Sequence, residues 1–157
     1  ARYVQIADRI CERGWFGQKT GRGFYRYPEG VRTGVPDPEI EAIIDAERLR
    51  TGIKSRSFTD QEIVRRLLAA MINEGANVVH QGIALRPLDV DITFLFGYGF
   101  PRYRGGPMKY ADTVGVGSVL ADIREFAQQD PLFWQASPLL INLTNSGADF
   151  TSLNQSA

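Results

Sequence analysis

The sequence contains one cysteine, Cys11, and one histidine, His80, among 157 residues. A lone cysteine excludes a disulfide framework, and with a single histidine beside it a thiolate or imidazole zinc site is excluded as well. An excess of charge of one sign is also missing, because 18 lysines and arginines balance 18 aspartates and glutamates. That balance argues against a broadly basic nucleic-acid binder, although a local patch can hide inside a zero sum. No apolar run approaches the roughly 18 residues of a membrane span. The chain opens with Ala1-Arg2 and shows no secretory signal. Alternating strand runs and hairpin turns are absent too. These absences leave a soluble, intracellular, globular class. The length fits one compact domain, or one and part of a second, burying roughly 70% of the unfolded surface.

What is present is helical period broken by glycine. Residues 1–13 interleave Val4, Ile6, Ile10 and Cys11 with charged residues and read as the last turns of a helix stopped by Gly14. The helix opens in mid-pattern without a cap, as expected of a piece of a longer chain. Gly14 to Pro28 reads as a structured glycine- and aromatic-rich loop leading into a short extended stretch, and Gly30 to Pro38 as a connector. Asp37-Pro38 opens a helix over Glu39 to Leu49. Thr51 to Ser57 is a polar link and the best boundary in the chain. Thr59 with Glu62 forms a capping-box pattern that opens a long helix reaching Gln81. Two apolar rows run along it, Ile63-Leu67-Ala70-Met71-Val78 and Val64-Leu68-Ile72-Val79-Ile83. So wide a sector belongs to a central helix. Shorter helices are expected over Pro87 to Phe96, Pro107 to Thr113, Gly117 to Gln128 and Pro138 to Asn145, with a long loop from Gly97 to Pro107. The fold class is all-α.

Few residues carry chemistry in this pattern. Gly21-Arg22-Gly23 lacks the third glycine of a dinucleotide fingerprint, since Arg26 stands there, and no βαβ unit surrounds it. Asp89 and Asp91 fail as a calcium loop, because Phe94 stands where glycine is needed, and they suit the first turn of a helix instead. His80 falls on the polar side of its helix with no orienting partner, so it reads as structural. Glu74 falls between Met71 and Val78 on the apolar sector and reads as a buried anchor rather than a general acid or base. Arg102 and Arg104 flank Tyr103 and could grip a phosphate or carboxylate bidentately, or stitch the loop to a neighbouring domain. The sequence leaves both open. Asn142-Leu143-Thr144 and Asn154-Gln155-Ser156 match the glycosylation triplet by chance.

The stretch Gly17 to Tyr27 (GQKTGRGFYRY) resembles the close of a helical repeat in the 3-hydroxyacyl-CoA dehydrogenase C-terminal family. Ile72 to Ala76, Gly82 to Arg86, Asp89 to Asp91 and the long motif Gly97 to Met108 resemble the second such repeat. That repeat occurs in multifunctional β-oxidation enzymes, which join an enoyl-CoA hydratase/isomerase domain, an NAD-binding domain and two helical repeats. Tyr110 to Gly115 is similar to the bifunctional, peroxisomal-type branch. The Ser-Lys-Leu ending is absent, so a bacterial cytoplasmic enzyme is the expected setting.

The resemblance implies a helical bundle of that family's type, with residues 1–30 as the tail of a first repeat, 31–58 as a linker with one helix and 59–157 as the second repeat. It implies an NAD-dependent 3-hydroxyacyl-CoA dehydrogenase as parent, with the fragment structural and inactive alone. The family's histidine–glutamate pair lies on the NAD-binding domain, which nothing here matches. No catalytic, cofactor or metal residue is therefore expected in this chain. A helpful asparagine of the first repeat, nine residues before a glutamate, corresponds here to Arg65, nine residues before Glu74. Arginine cannot present the paired donor and acceptor of an amide, so Arg65 marks a degenerate catalytic position. The expected partners are the remaining domains of the parent, with acyl-CoA met only through them, and self-association of the isolated fragment through an apolar patch. The other function in view is a free-standing helical module that binds acyl-CoA or a protein partner, with Arg102 and Arg104 on the CoA phosphates.

Overall fold

A computed structural model describes residues 3–31 and 33–155. Arg2, and Ser156 of the second glycosylation-type triplet, lie outside the described residues. The chain divides into two compact units, residues 1–57 and 58–157.

The first unit pairs α1 (Ile6–Cys11) with α2 (Pro38–Thr51). Ile10, Ile40 and Ile43 are buried between them, with Ile6, Trp15 and Ile44 packed around. So small an apolar core leaves polar staples to specify the arrangement. Asp37 caps α2 by accepting the Glu39 N–H at 3.1 Å, and Arg22 grips the same carboxylate at 2.6 and 2.9 Å. The Arg22 guanidinium also lies 3.8 Å from the centre of the Trp15 ring, a cation–π contact. At the far end buried Glu47 accepts from Arg50 at 2.7 and 2.8 Å and from the Gln5 N–H at 3.2 Å. The Arg50 pair outweighs burial and draws its pKa down to about 2. The stretch expected as a linker, 31–58, thus carries a helix that shares its core with α1. Between the helices the chain forms isolated antiparallel bridges, Gly17 with Arg22, Arg22 with Arg26 and Arg26 with Val35.

The second unit is built around α3 (Asp60–His80), which starts where Thr59 Oγ1 accepts the Glu62 N–H at 3.1 Å. Around it pack α4 (Pro87–Gly97), α5 (Pro107–Val114), α6 (Val116–Ala127) and α7 (Pro138–Ser146). Among the described residues there is no named strand. Ile72, Met108, Leu120, Ile123, Phe126, Leu140 and Phe150 fill the core at 1% exposure or less. Asp112 at the end of α5 ties in the C-terminal turn by accepting the N–H groups of Phe150 and Thr151 at 2.8 and 2.9 Å. No helix among the described residues is long and apolar enough to cross a membrane.

The buried face of α3 takes in only part of its large apolar side chains. Ala69, Ile72, Asn73, Gly75 and Ala76 are buried, whereas Ile63, Val64 and Leu67 are 44–56% exposed. Small residues win the inner face because α4 and α5 come close. A Cβ on Gly75 would lie 2.6 Å from Met108 Sδ and 3.3 Å from Val90 Cγ1. Glu74 is consequently exposed and accepts from Asn77 at 3.4 Å, so the buried-anchor expectation is corrected. The buried polar anchor of α3 is its neighbour Asn73. Its Nδ2 donates to the Gln135 carbonyl and its Oδ1 accepts the Ser137 N–H, each at 2.8 Å, holding the entry to α7. Asn73→Ala is expected to lower stability by about 2 kcal/mol, because it strands the buried Ser137 N–H. Urea unfolding against wild type checks this.

Candidate functional site

The Gly97–Met108 motif connects α4 to α5, and one carboxylate sets its shape. Asp91, on α4 and only 5% exposed, accepts the N–H groups of Met108 at 2.7 Å and Lys109 at 3.1 Å. These are orphan donors of the first turn of α5, and a carboxylate there also meets the positive end of the helix dipole. Burial nevertheless dominates and pushes the Asp91 pKa up to about 6, with the two backbone donors and Lys109 pulling the other way and nearby Asp112 adding to the rise. Gly106 is pressed against this carboxylate at φ 106°; a Cβ there would sit 2.3 Å from Asp91 Oδ1. Asp89 does serve its own helix. It accepts the Arg86 N–H at 3.0 Å and the Arg86 side chain at 2.8 Å, which ties the N-cap residue to the first turn of α4. The first-turn expectation therefore holds for Asp89, while Asp91 caps the following helix.

With its ends pinned, the loop turns back over α4. Phe100 is buried, donates its N–H to the Phe94 carbonyl at 3.0 Å, and meets the Phe94 ring edge to face with centres 6.3 Å apart. Inside the stretch expected to be irregular, Arg102–Arg104 forms one 3-10 turn. Between this loop and the outward face of α3 lies a groove of about 550 Å³, lined chiefly by Val64, Leu67, Met71, Phe94, Tyr98 and Tyr103. Arg104 stands on its wall, 4.7 Å from the centre of the Tyr110 ring. Arg102 is exposed over the Phe96 ring at 5.6 Å. Neither arginine has a carboxylate partner among the described residues.

Arg65 lies apart from this groove, at the crossing of α3 with α6. It forms a bidentate pair with Asp122 and reaches Glu125 Oε2 at 2.9 Å, and these hydrogen bonds raise its pKa. Its guanidinium is thereby committed to holding α6. His80 is exposed at the end of α3. Among the described residues no group of three or more histidine, cysteine, aspartate or glutamate side chains converges to hold a metal ion. The Gly21-Arg22-Gly23 turn does not fit a dinucleotide. Gly23 is closed by its own chain, since a Cβ there would sit 2.7 Å from Gly17 Cα, and Arg22 is spent on Asp37. The residues that sequence reasoning missed are Asn73 and the capping role of Asp91. An asparagine amid small residues in mid-helix was the available signal for the first. The partner of Asp91 lies across a loop, and no local pattern announces it.

The chain matches the family model of the 3-hydroxyacyl-CoA dehydrogenase C-terminal domain over residues 63–148. It is 45% identical over 150 residues to the peroxisomal bifunctional enzyme of Danio rerio, covering 94% of this chain and 21% of that protein. To the peroxisomal bifunctional enzyme of Homo sapiens it is 41% identical over 138 residues, covering 87% and 19% respectively. The crystal structure of the dehydrogenase part of multifunctional enzyme 1 from C. elegans is similar with a TM-score of 0.64 at 25% identity, over 90% of this chain and 33% of that one. This chain thus spans about a fifth of the length of these curated relatives. They overturn the expected bacterial cytoplasmic setting, because they are peroxisomal enzymes of vertebrates. That expectation rested on the last three residues alone, and a receptor-read address leaves no trace in the packing that these proteins share.

Proposed function

Because this chain belongs to the 3-hydroxyacyl-CoA dehydrogenase C-terminal domain family, we propose that it is the structural C-terminal part of an NAD-dependent 3-hydroxyacyl-CoA dehydrogenase that also carries enoyl-CoA hydratase activity. The parent would act in fatty acid β-oxidation, converting 3-hydroxyacyl-CoA to 3-oxoacyl-CoA. NAD, bound on another domain, would accept the hydride. Residues 59–157 serve as the second helical repeat, residues 1–30 as the tail of the first, and 31–58 join them. The second repeat braces the first repeat and the NAD-binding domain and leaves the chemistry to them.

The observation that carries this role is the apolar groove. A helix face with Val64 and Leu67 about half exposed, opposite Tyr98 and Tyr103, is a surface built to be covered. Arg65, in the place of the family's helpful asparagine, belongs to a degenerate copy of the catalytic repeat. Its bidentate pair with Asp122 gives it a packing role instead. The purified chain is expected to show no NADH formation with NAD and a 3-hydroxyacyl-CoA, and Arg65→Asn is expected to create none. Turnover by the chain alone would sink this reading. Without its covering domains the chain is also expected to self-associate as its concentration rises. Leu67→Glu should abolish that association in sedimentation equilibrium.

Arg102 and Arg104, without carboxylate partners among the described residues and the second on the wall of an apolar groove, favour one second reading, a helical module that binds acyl-CoA or a protein partner by itself. Titration with CoA separates the two. Saturable binding lost in Arg102→Ala/Arg104→Ala would support the module.

A further inference from the structure

The segment that joins α2 to α3 is an exposed connector. Every residue from Gly52 to Gln61 is exposed, and no helix or strand lies between the end of α2 and the start of α3. Both neighbouring helices are closed by their own caps. Gly52, at φ 68°, donates its N–H to Leu49 and ends α2, and the Thr59 side chain starts α3. The intervening Ile53-Lys54-Ser55-Arg56-Ser57-Phe58 carries two basic residues and no acidic one. We propose that this segment is a processing site for a serine-type endoprotease whose specificity pocket is floored by a carboxylate, cleaving at Lys54–Ser55 or Arg56–Ser57.

Such a protease must draw several residues on either side of the cut into an extended conformation in its cleft. Exposed connectors outside cooperative structure meet that demand with the least local unfolding. Here no helix or strand has to be opened, and both bonds are followed by a small serine. Hydrolysis adds one water across the peptide bond, leaving a carboxylate on Lys54 or Arg56 and an ammonium group on the serine that follows. Neither cap is broken by it. Several other basic residues are worse placed. Arg22 is clamped on Asp37, Arg26 is bridged to Val35, Arg65 and Arg66 lie in α3, and Arg86 is followed by Pro87, which resists cleavage. Lys19 and Arg102 sit inside closed 3-10 turns. The second unit, with its own core around Ile72 and Phe126, would survive the cut as a folded body.

Digestion of the whole chain with a trace of trypsin, followed by intact-mass measurement, tests this. The first products are expected to include a C-terminal fragment beginning at Ser55 or Ser57, which then persists. Lys54→Gln/Arg56→Gln should lengthen the lifetime of the intact chain by about tenfold. A first cut at any other basic residue, Arg32 and Arg102 included, would overturn the proposal. So would a double variant that is cut as fast as wild type, or a C-terminal fragment that is degraded as fast as it forms.

Discussion

Gly106→Ala is expected to destabilise the second unit by roughly 4 kcal/mol, a large share of the 5–15 kcal/mol that holds a domain of ordinary stability together. Two separate costs meet at this position. The backbone stands at φ 106°, a conformation that costs a residue with a side chain about 1–3 kcal/mol. The added Cβ would also lie 2.3 Å from Asp91 Oδ1 and 2.5 Å from its Cβ and Cγ, so the carboxylate must leave the Met108 and Lys109 N–H groups that it accepts. Each buried donor stranded in this way costs about 1–3 kcal/mol. Gly99→Ala measures the cost of a positive φ without a close contact, because Gly99 has φ 69° and nothing within 4 Å of a built Cβ. That control should lose only about 1 kcal/mol. Equal losses in the two variants, read from urea midpoints, would show that the close approach to Asp91 contributes nothing.

The contrast between these glycines also marks where sequence reading succeeds and fails. Asp37 before Pro38 and Thr59 before Glu62 announce helix starts because cap, first turn and donor lie within a few residues, and both caps form as expected. The two apolar rows on α3 match its buried face only in part: Ile72 is buried and Leu68, Val78 and Val79 pack on the core, whereas Ile63, Val64 and Leu67 face outward. Hydrophobic weight favours Ile63 and Leu67, while the close crossing of α4 and α5 demands Gly75 and Ala76, whose merit is lack of volume. Shifting the buried face carries Glu74 into solvent and puts Asn73 inside. Asp91 was legible only as a helix-forming acid. Its partners lie 17 and 18 residues ahead, at the far end of a loop whose course depends on that very contact. The Gly97–Met108 motif carried the resemblance to a family, and its last three residues have a physical meaning. Gly106 makes room for Asp91, Pro107 starts α5 without needing a donor, and Met108 fills the space that Gly75 leaves open.

The same carboxylate should make stability depend on pH in the direction opposite to ordinary acid denaturation. Burial raises the Asp91 pKa to about 6 in the folded chain, against about 3.9 for an unfolded aspartate. Between those values the folded state holds a proton that the unfolded state has lost. The stabilising contribution is therefore fully present below about pH 4 and disappears as pH rises through about 6. Other groups obscure this in wild type alone. Asp37, Glu47 and Asp89 all have lowered pKa values and weaken the fold as acid protonates them. Those groups cancel when wild type is compared with Asp91→Asn, which keeps the shape of the side chain and cannot ionise. The stability difference between the two, measured by urea unfolding at a series of pH values, should move in favour of wild type by roughly 2 kcal/mol on going from pH 7 to pH 4. A flat difference would mean that the helix dipole and the two N–H donors cancel the cost of burial. Movement the other way would mean that they exceed it, and that Asp91 holds α5 chiefly as an ion.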